Sequence, residues 1–243
     1  MTKTYDLTTG SLAKHFMRLA VPAAVGMVFS TLYNVVDVFF AGMIGTDAQA
    51  GLAISFQAFF IFVTIGFGLS AAMTALVGNA IGAKKTTDAS IIAAQGIGFS
   101  IVISVLLIVG ARFIGPHLLA IISTDGAYRT AGEAYFMILI LSLPGFIMGY
   151  GLNGILQSQG DTVSMQYALI GAFFANIGLN PLMMFGIPGI WGGLGFDGIA
   201  AATVISQTGV MVYIGVRLLR SGLLDARILH NFLPNLALYR QIL

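Results

Sequence analysis

Six long apolar segments dominate the chain, and each is long enough to cross a lipid bilayer as a helix. An α-helix rises about 1.5 Å per residue, so roughly 20 apolar residues cross the hydrocarbon core. We place the segments at residues 19–44, 48–79, 89–114, 133–157, 162–185 and 199–219. Apolar runs of this length satisfy their backbone groups in hydrocarbon as helices. We therefore predict an all-α integral membrane protein with six transmembrane helices.

The composition excludes several other classes of protein. Of the 243 residues, 58% are hydrophobic and only 8% are charged, whereas soluble domains carry roughly 25% charged residues. The net charge of +2 is too small and too scattered to indicate a nucleic-acid partner. There is no cysteine, and the three histidines lie far apart at segment ends and in loops. No nucleophile–base pair or paired carboxylates lie within the segments, so neither an enzyme nor a bound cofactor is expected.

The distribution of basic residues predicts the orientation in the membrane. Nine of the eleven Lys and Arg residues lie on one side: Lys3, Lys14, Arg18, Lys84, Lys85, Arg217, Arg220, Arg227 and Arg240. Only Arg112 and Arg129 lie on the other. Because cytoplasmic loops are enriched in basic residues, we predict a multi-pass protein of the plasma membrane with both ends in the cytoplasm. Residues 1–18 would form a short cytoplasmic helix, 19–219 the six-helix bundle and 220–243 a cytoplasmic linker.

One carboxylate, Asp37, lies inside the first apolar segment. A charged side chain at the centre of a bilayer costs roughly 2.5–3.5 kcal/mol on insertion scales, so such residues usually serve a function. Tyr33 and Asn34 precede Asp37 by four and three residues and therefore share its helix face. We predict that this face binds an ion or a substrate.

Three further segments also carry polar faces. They contribute Asn153, the pair Asn176 and Asn180 four residues apart, and Thr203. For a single Asn or Thr, a hydrogen bond between helices is the simpler interpretation. Four polar faces together with a carboxylate indicate an oxygen-rich site suited to Na⁺ or to proton transfer.

The loop before the last segment contains glycines 193, 195 and 198 in a G-x-G-x-x-G pattern. A dinucleotide site requires a preceding strand, whereas here a membrane helix precedes. We predict a flexible outer loop, in which Trp191, the sole tryptophan, lies at the membrane interface.

Several of these stretches resemble one family of transporters. They are YNVVDVFFAG at 33–42, GDT at 160–162, NP at 180–181 followed by GIPG at 186–189, and GIAAATVISQ at 198–207. The sequence resembles the N-terminal half of the multidrug and toxic compound extrusion (MATE) transporters. The resemblance implies one lobe of six helices from a two-lobed, twelve-helix transporter.

The resemblance also implies roles for particular residues. Asp37 matches the acid that binds the coupling ion, and Asn176 and Thr203 match its companions, so these three form the implied Na⁺ site. Asn153 falls where the family often has a polar ligand. Asn180 stands where some members carry an aspartate, and this departure leaves the choice between Na⁺ and H⁺ open.

The implied function is export of cationic or amphipathic compounds in exchange for Na⁺ or H⁺. The implied partners are membrane lipid, the small-molecule substrate, and either a missing C-terminal lobe or a second copy of this chain. Two alternatives remain open. One is a half that does not transport or that depends on assembly. The other is a flippase for lipid-linked oligosaccharides, which is disfavoured because the spans contain no basic residue beyond their ends.

Overall fold

Seven α-helices make up almost all of the described chain. The structure is a computed structural model that describes residues 11–224, 239–240 and 242, with the backbone alone at 12–16, 18–19 and 22–23. The helices are α1 (Leu12–Ile44), α2 (Thr46–Gly82), α3 (Thr86–Ile122), α4 (Ala127–Leu139), α5 (Leu143–Ser158), α6 (Ser164–Phe185) and α7 (Asp197–Leu219). Helices α4 and α5 form one continuous segment, so six helical segments are long and apolar enough to span a membrane. The predicted six-helix, all-α fold is confirmed.

The α-helical geometry of the fourth span is interrupted at its middle. A short 3₁₀ turn, Ile140–Ser142, joins α4 to α5, and Pro144 lies in the first turn of α5. Proline is well tolerated there because the first N–H groups of a helix have no partner within it. The Ser142 hydroxyl donates to the Leu139 carbonyl at 2.6 Å. The span also begins earlier than the predicted residue 133, because Ala127–Leu139 is already helical.

The prediction that the third helix ends before Pro116 is wrong. Helix α3 continues through Pro116 to Ile122, in place of the predicted link at 117–132. Packing explains the continuation: Leu119 is fully buried, and Gly115 lies directly against the ring of Phe136. A proline within a helix costs about 3 kcal/mol, but close neighbours in a membrane bundle often compensate for it.

Helix α5 lies at the centre of the bundle. All residues from 151 to 156 are buried, because α5 packs against α2, α3 and α7. Glycines permit this close approach: Gly145 touches the backbone of Gln207, and Gly154 touches that of Ser70. By contrast, α1 exposes large apolar side chains along much of its length, including Met27 at 74% and Phe39 at 63%. Exposed faces of this kind suit a lipid environment.

The predicted division of the chain is only partly covered by the described residues. Helix α1 runs from Leu12 without a break past residue 18, and most of the predicted linker, at 225–238, lies outside the described residues, as do residues 1–10. The proposed boundaries at 18 and 220 stay predictions.

The loop between α6 and α7 forms a small hairpin. An antiparallel bridge pairs Ile187 with Trp191, and backbone hydrogen bonds tie Leu194 and Gly195 to the last turn of α6. The predicted flexibility of the segment stays a prediction.

Candidate functional site

Helix α1 carries Asp37 into the interior of the bundle. Asp37 is fully buried, whereas its neighbours in the chain, Val36 and Val38, are half-buried and exposed, respectively. The position is fixed by packing of α1 against α6, where the rings of Phe29 and Phe173 meet edge to face with centroids 5.3 Å apart. The buried side of α1 therefore faces the polar side of α6.

Two other helices donate hydrogen bonds to the Asp37 carboxylate. Asn180 Nδ2 donates to Oδ1 at 2.8 Å, and Thr203 Oγ1 donates to Oδ2 at 3.3 Å. Asn180 Nδ2 also donates to Asn176 Oδ1 at 3.0 Å. All four side chains are fully buried. We call Asp37, Asn176, Asn180 and Thr203 the Asp37 cluster.

No basic side chain neutralises Asp37 within the described part of the chain. The ion pairs found there join Arg129 to Asp125 and Glu133, and Arg217 to Asp161. Burying a carboxylate without a cationic partner is costly, and amide and hydroxyl donors compensate only in part. The cluster therefore suits a bound proton or a small cation.

Two tyrosines complete the surroundings of the cluster. Tyr33 donates from its hydroxyl to Ser206 Oγ at 3.2 Å and so links α1 to α7. Tyr135 is fully buried near Asp37, Tyr33 and Thr203, and its ring stacks on Phe196 at 4.8 Å. Tyr135 was not among the predicted site residues, because a single tyrosine in an apolar segment carries little signal of its own. Only the packing of α4 against α7 shows that it lies near the cluster.

Several buried polar atoms around Asp37 have no hydrogen-bond partner. They are Asn176 Nδ2, Asn180 Oδ1 and the Tyr135 hydroxyl. Buried polar groups are normally paired, so orphaned ones often mark a functional position. A flip of the Asn180 amide would place its oxygen, instead of its nitrogen, beside the carboxylate. Carboxylate, amide and hydroxyl oxygens are the ligands that hard cations prefer.

Two of the predicted site residues form no hydrogen bond with this cluster among the described residues. Asn34 is exposed, and its amide donates to the Ser30 carbonyl of its own helix at 3.1 Å. Asn153 is buried on α5, where its Oδ1 has no partner, and no hydrogen bond joins it to the Asp37 cluster within the described residues. The structure thus brings together Asp37, Asn176, Asn180 and Thr203, with Tyr33 beside them.

A second polar cluster connects the start of α6 to the end of α7. Asp161 Oδ1 accepts from the backbone N–H of Val163 and Ser164, at 3.2 and 3.0 Å, as in a helix cap. Arg217 Nη2 donates to Asp161 Oδ2 at 3.0 Å. Burial alone would raise the pKa of Asp161, but the hydrogen bonds from Ser164, Arg217 and Val163 outweigh it and lower the pKa below its usual value.

Comparison with known proteins identifies the family. The family model described as MatE matches residues 22–182, which include most of α1 and most of α6. The chain belongs to the MatE family. The resemblance seen in the sequence is therefore confirmed.

Curated relatives of this MatE chain include named transporters. A FAD transporter of Shewanella oneidensis is 25% identical over 93% of this chain and 51% of its own length. The probable multidrug resistance protein YoeA of Bacillus subtilis is 27% identical over 81% of this chain and 43% of its own. The chain thus spans about half the length of the curated relatives it matches.

Solved structures share the fold. A MOP superfamily transporter from Pyrococcus furiosus aligns with a TM-score of 0.82 and 23% identity, covering 96% of this chain and 51% of that one. A MATE transporter in the bent conformation aligns with a TM-score of 0.82 and 22% identity, again covering 96% of this chain and 51% of that one. This chain therefore has the fold of one lobe, about half of each of these structures.

Proposed function

We propose that this chain is the N-terminal lobe of a cation-coupled antiporter that exports cationic or amphipathic compounds across the plasma membrane. The observation that carries the proposal is Asp37, fully buried and held by Asn180 and Thr203 from two other helices. The names of the relatives support a transport role. One relative is named as a transporter of FAD and another for multidrug resistance, so the names do not identify one transported compound.

The proposed coupling acts through the hydrogen bonds of Asp37. A proton on the carboxylate would remove one acceptor and weaken the link from α1 to α6 or α7. A bound Na⁺, which like H⁺ is a transported substrate here, would instead require the amides of Asn176 and Asn180 to turn their oxygens inward. Either event changes the preferred packing of α1, and a change in packing that also alters substrate affinity couples the two binding events.

The arrangement favours this proposal over the alternatives. A flippase for an anionic lipid-linked substrate would be expected to use a cationic cavity, whereas the charged residues buried in the described part of the chain are the carboxylates Asp37 and Asp161. A lobe without transport activity would have no need to hold a carboxylate at this cost inside hydrocarbon. Assembly with a second lobe or a second copy is part of the proposal.

The test replaces Asp37 by Asn in the full-length transporter and measures efflux of a cationic dye from vesicles. Asp37→Asn keeps the size and most hydrogen bonds of the side chain but cannot exchange a proton or balance a cation. We expect efflux to fall to background while insertion and thermal stability are kept. Na⁺ and pH gradients imposed separately identify the coupling ion. Asp47→Asn, at an exposed carboxylate in the first turn of α2, is the matched control and should transport normally.

Unchanged, gradient-driven efflux by Asp37→Asn would overturn the assignment of the ion site. Efflux lost equally in both variants would indicate a general charge effect and would also contradict it.

A further inference from the structure

The hairpin between α6 and α7 has a composition unlike that of a water-facing loop. Residues 186–196 consist of glycine and apolar residues alone: five glycines with Ile187, Pro188, Ile190, Trp191, Leu194 and Phe196. The single polar side-chain atom of the segment is the indole Nε1 of Trp191. Loops that lie in water usually carry polar and charged residues, so this composition calls for another environment.

The hairpin is held in one shape by its backbone. Ile187 N–H donates to the Trp191 carbonyl at 3.0 Å, and Trp191 N–H donates back to Ile187 at 3.1 Å. Gly186 and Gly193 have positive φ angles of 73° and 74°, and a side chain at either would collide with the facing backbone. The glycines of this segment therefore support a tight structure.

The hairpin stays close to the end of α6. Leu194 N–H donates to the Met183 carbonyl at 2.8 Å, and Gly195 N–H donates to Met184 at 3.0 Å. Helix α6 has 22 residues, or about 33 Å at 1.5 Å per residue, slightly more than the roughly 30 Å of hydrocarbon. Its last turn and the hairpin thus lie where the hydrocarbon meets the headgroups.

The hairpin and the last residue of α6 present large apolar side chains outwards. Ile190 at the tip is 77% exposed, Phe185 is 56% exposed, and Leu194 is 49% exposed. Phe185, Ile190 and Trp191 border an open concavity of about 390 Å³. At 100° per residue Phe185 shares one helix face with the exposed Tyr167 and Phe174. The hairpin therefore continues an apolar ridge that runs along α6.

We propose that the hairpin 186–196 is a membrane anchor that inserts Ile190 and Trp191 into the boundary between headgroups and acyl chains. The boundary suits an uncharged, apolar tip with one indole N–H, because amphipathic aromatic rings concentrate there. The anchor holds the ends of α6 and α7, the helices that carry Asn180 and Thr203. It does not depend on the proposed antiport.

Lipid explains the surface better than a protein partner does. The tip is continuous with the apolar ridge of α6, and that ridge belongs to a helix long enough to span the bilayer. A docking site for a second lobe or a second copy would bury the tip from lipid and from water alike. The accessibility of the tip to lipid and to aqueous solutes separates these cases.

Trp191 provides the readout, since it is the sole tryptophan of the chain. The chain is reconstituted in neutral phosphatidylcholine vesicles at high dilution. Its tryptophan emission is recorded with lipids brominated near the ester end, with lipids brominated near the methyl end, and with aqueous iodide. Subtraction of the spectrum of the Trp191→Phe chain isolates the signal. We expect blue-shifted emission that loses most of its intensity to shallow bromines and little to deep bromines or to iodide.

Two variants at the tip test the insertion directly. Ile190→Asp should shift the emission to longer wavelength and make Trp191 accessible to iodide, because a carboxylate resists burial in the interface. Ile190→Leu, the matched control, should behave as the parent. Folding should not be affected, since the Ile190 side chain touches little of the protein.

Strong quenching by iodide in the parent chain would place the hairpin in water and overturn the proposal. If neither the bromines nor iodide quench the Trp191 emission, and the emission changes with the protein-to-lipid ratio, the tip contacts protein. That result would also overturn the proposal. Dominant quenching by deep bromines would do the same, because the tip would then lie within the hydrocarbon.

Discussion

Asp37 gains its properties from side chains that lie more than 140 positions away in the sequence. Asn180 and Thr203 each donate one hydrogen bond to a different carboxylate oxygen. Hydrogen bonds to a charged group contribute about 1.5–3 kcal/mol each. Neither donor carries a positive charge, so the negative charge of Asp37 stays unneutralised and can be balanced by a proton or a cation.

Removal of one donor should shift the ion dependence of efflux without unfolding the lobe. Thr203→Val keeps the shape of the side chain but loses the hydrogen bond to Asp37 Oδ2. Since this bond is long at 3.3 Å, we expect the lower end of the range, about a tenfold change in the ion concentration that gives half-maximal efflux. The concentration should fall for H⁺, because a hydrogen bond that favours the ionised carboxylate is lost, and should rise for Na⁺, because a hydroxyl oxygen ligand is lost. The ion dependence of dye efflux by the full-length transporter measures this change.

Thr208→Val is the matched control on the same helix. The Thr208 hydroxyl is exposed and donates to the Val204 carbonyl of its own helix at 2.7 Å. Its removal should leave the ion dependence unchanged. Equal shifts in both variants would refute a specific role for Thr203.

Only some of the residues that form the site could be predicted from the sequence. Asp37 stood out as a carboxylate in an apolar run, and Asn176 and Asn180 stood out by their spacing. Asn34 has the same local signature but faces outwards, because the direction of a helix face depends on its neighbours. Tyr135 had no local signature and was found only through its burial near Asp37.

Helices α6 and α7 are joined at both ends by different devices. The hairpin 186–196 joins one end, and the cluster of Asp161, Ser164 and Arg217 joins the other. Asp161 Oδ2 accepts from both the Ser164 hydroxyl and Arg217. Asn180 and Thr203, which contact Asp37, therefore belong to a pair of helices whose relative position is fixed.

The Asp161 cluster should make the lobe sensitive to acid. The pKa of Asp161 is lower in the folded chain than its ordinary value, so its stabilisation is fully present above an ordinary pKa of about 4. It is lost as the pH falls through the lowered pKa. Asp161→Asn should lower stability at neutral pH by about 1–2 kcal/mol.

Thermal unfolding in detergent measures this difference across the acid range. The melting temperature of the parent should fall towards that of Asp161→Asn as the pH drops below about 4. A gap between the two proteins that stays constant with pH would contradict the role given to ionised Asp161.

Close contact between α2 and α5 depends on a glycine. A Cβ at position 154 would lie 3.0 Å from the Cα and carbonyl carbon of Ser70 and nearer still to its oxygen. We expect Gly154→Ala to destabilise the lobe by about 1–3 kcal/mol, as overpacking does. A Cβ at Gly178 meets nothing within 4 Å, so Gly178→Ala should not lower the melting temperature. The same thermal measurement compares the two, and equal melting temperatures would contradict the close packing.

Helix boundaries were the least predictable elements, and proline was the main reason. Local chemistry favours ending a helix before Pro116, yet α3 continues because Leu119 and Gly115 pack against the neighbouring span. Pro181 likewise lies within α6. Burial of the following turn outweighs a local penalty of about 3 kcal/mol.

As a whole, the described bundle is one lobe with a strongly asymmetric surface. Helix α1 buries Asp37 and Tyr33 but exposes most of its apolar residues. The chain covers only about half the length of the relatives and of the solved structures that it matches. Its exposed faces therefore include both lipid-facing surface and, by our proposal, the contact with a second lobe.

The proposed orientation leads to a labelling prediction. The chain contains no cysteine, so single cysteines give no background. Lys85 and Thr124 are exposed in loops at opposite ends of α3. On intact cells, a membrane-impermeant maleimide should label Thr124→Cys and should label Lys85→Cys only after permeabilisation. The reverse pattern would place the ends of the chain outside the cell.

The sequence by itself determined the class of fold, the number of spans and the identity of the buried carboxylate. These depend on hydrophobicity and on local spacing, which act over one helix and can be read along the chain. Tertiary structure decided which predicted residues share hydrogen bonds with Asp37, that Tyr135 lies nearby, and that residues 186–196 form a hairpin. Each of these outcomes depends on which surfaces of separate helices meet, and close packing sets that contact through side chains distant in sequence.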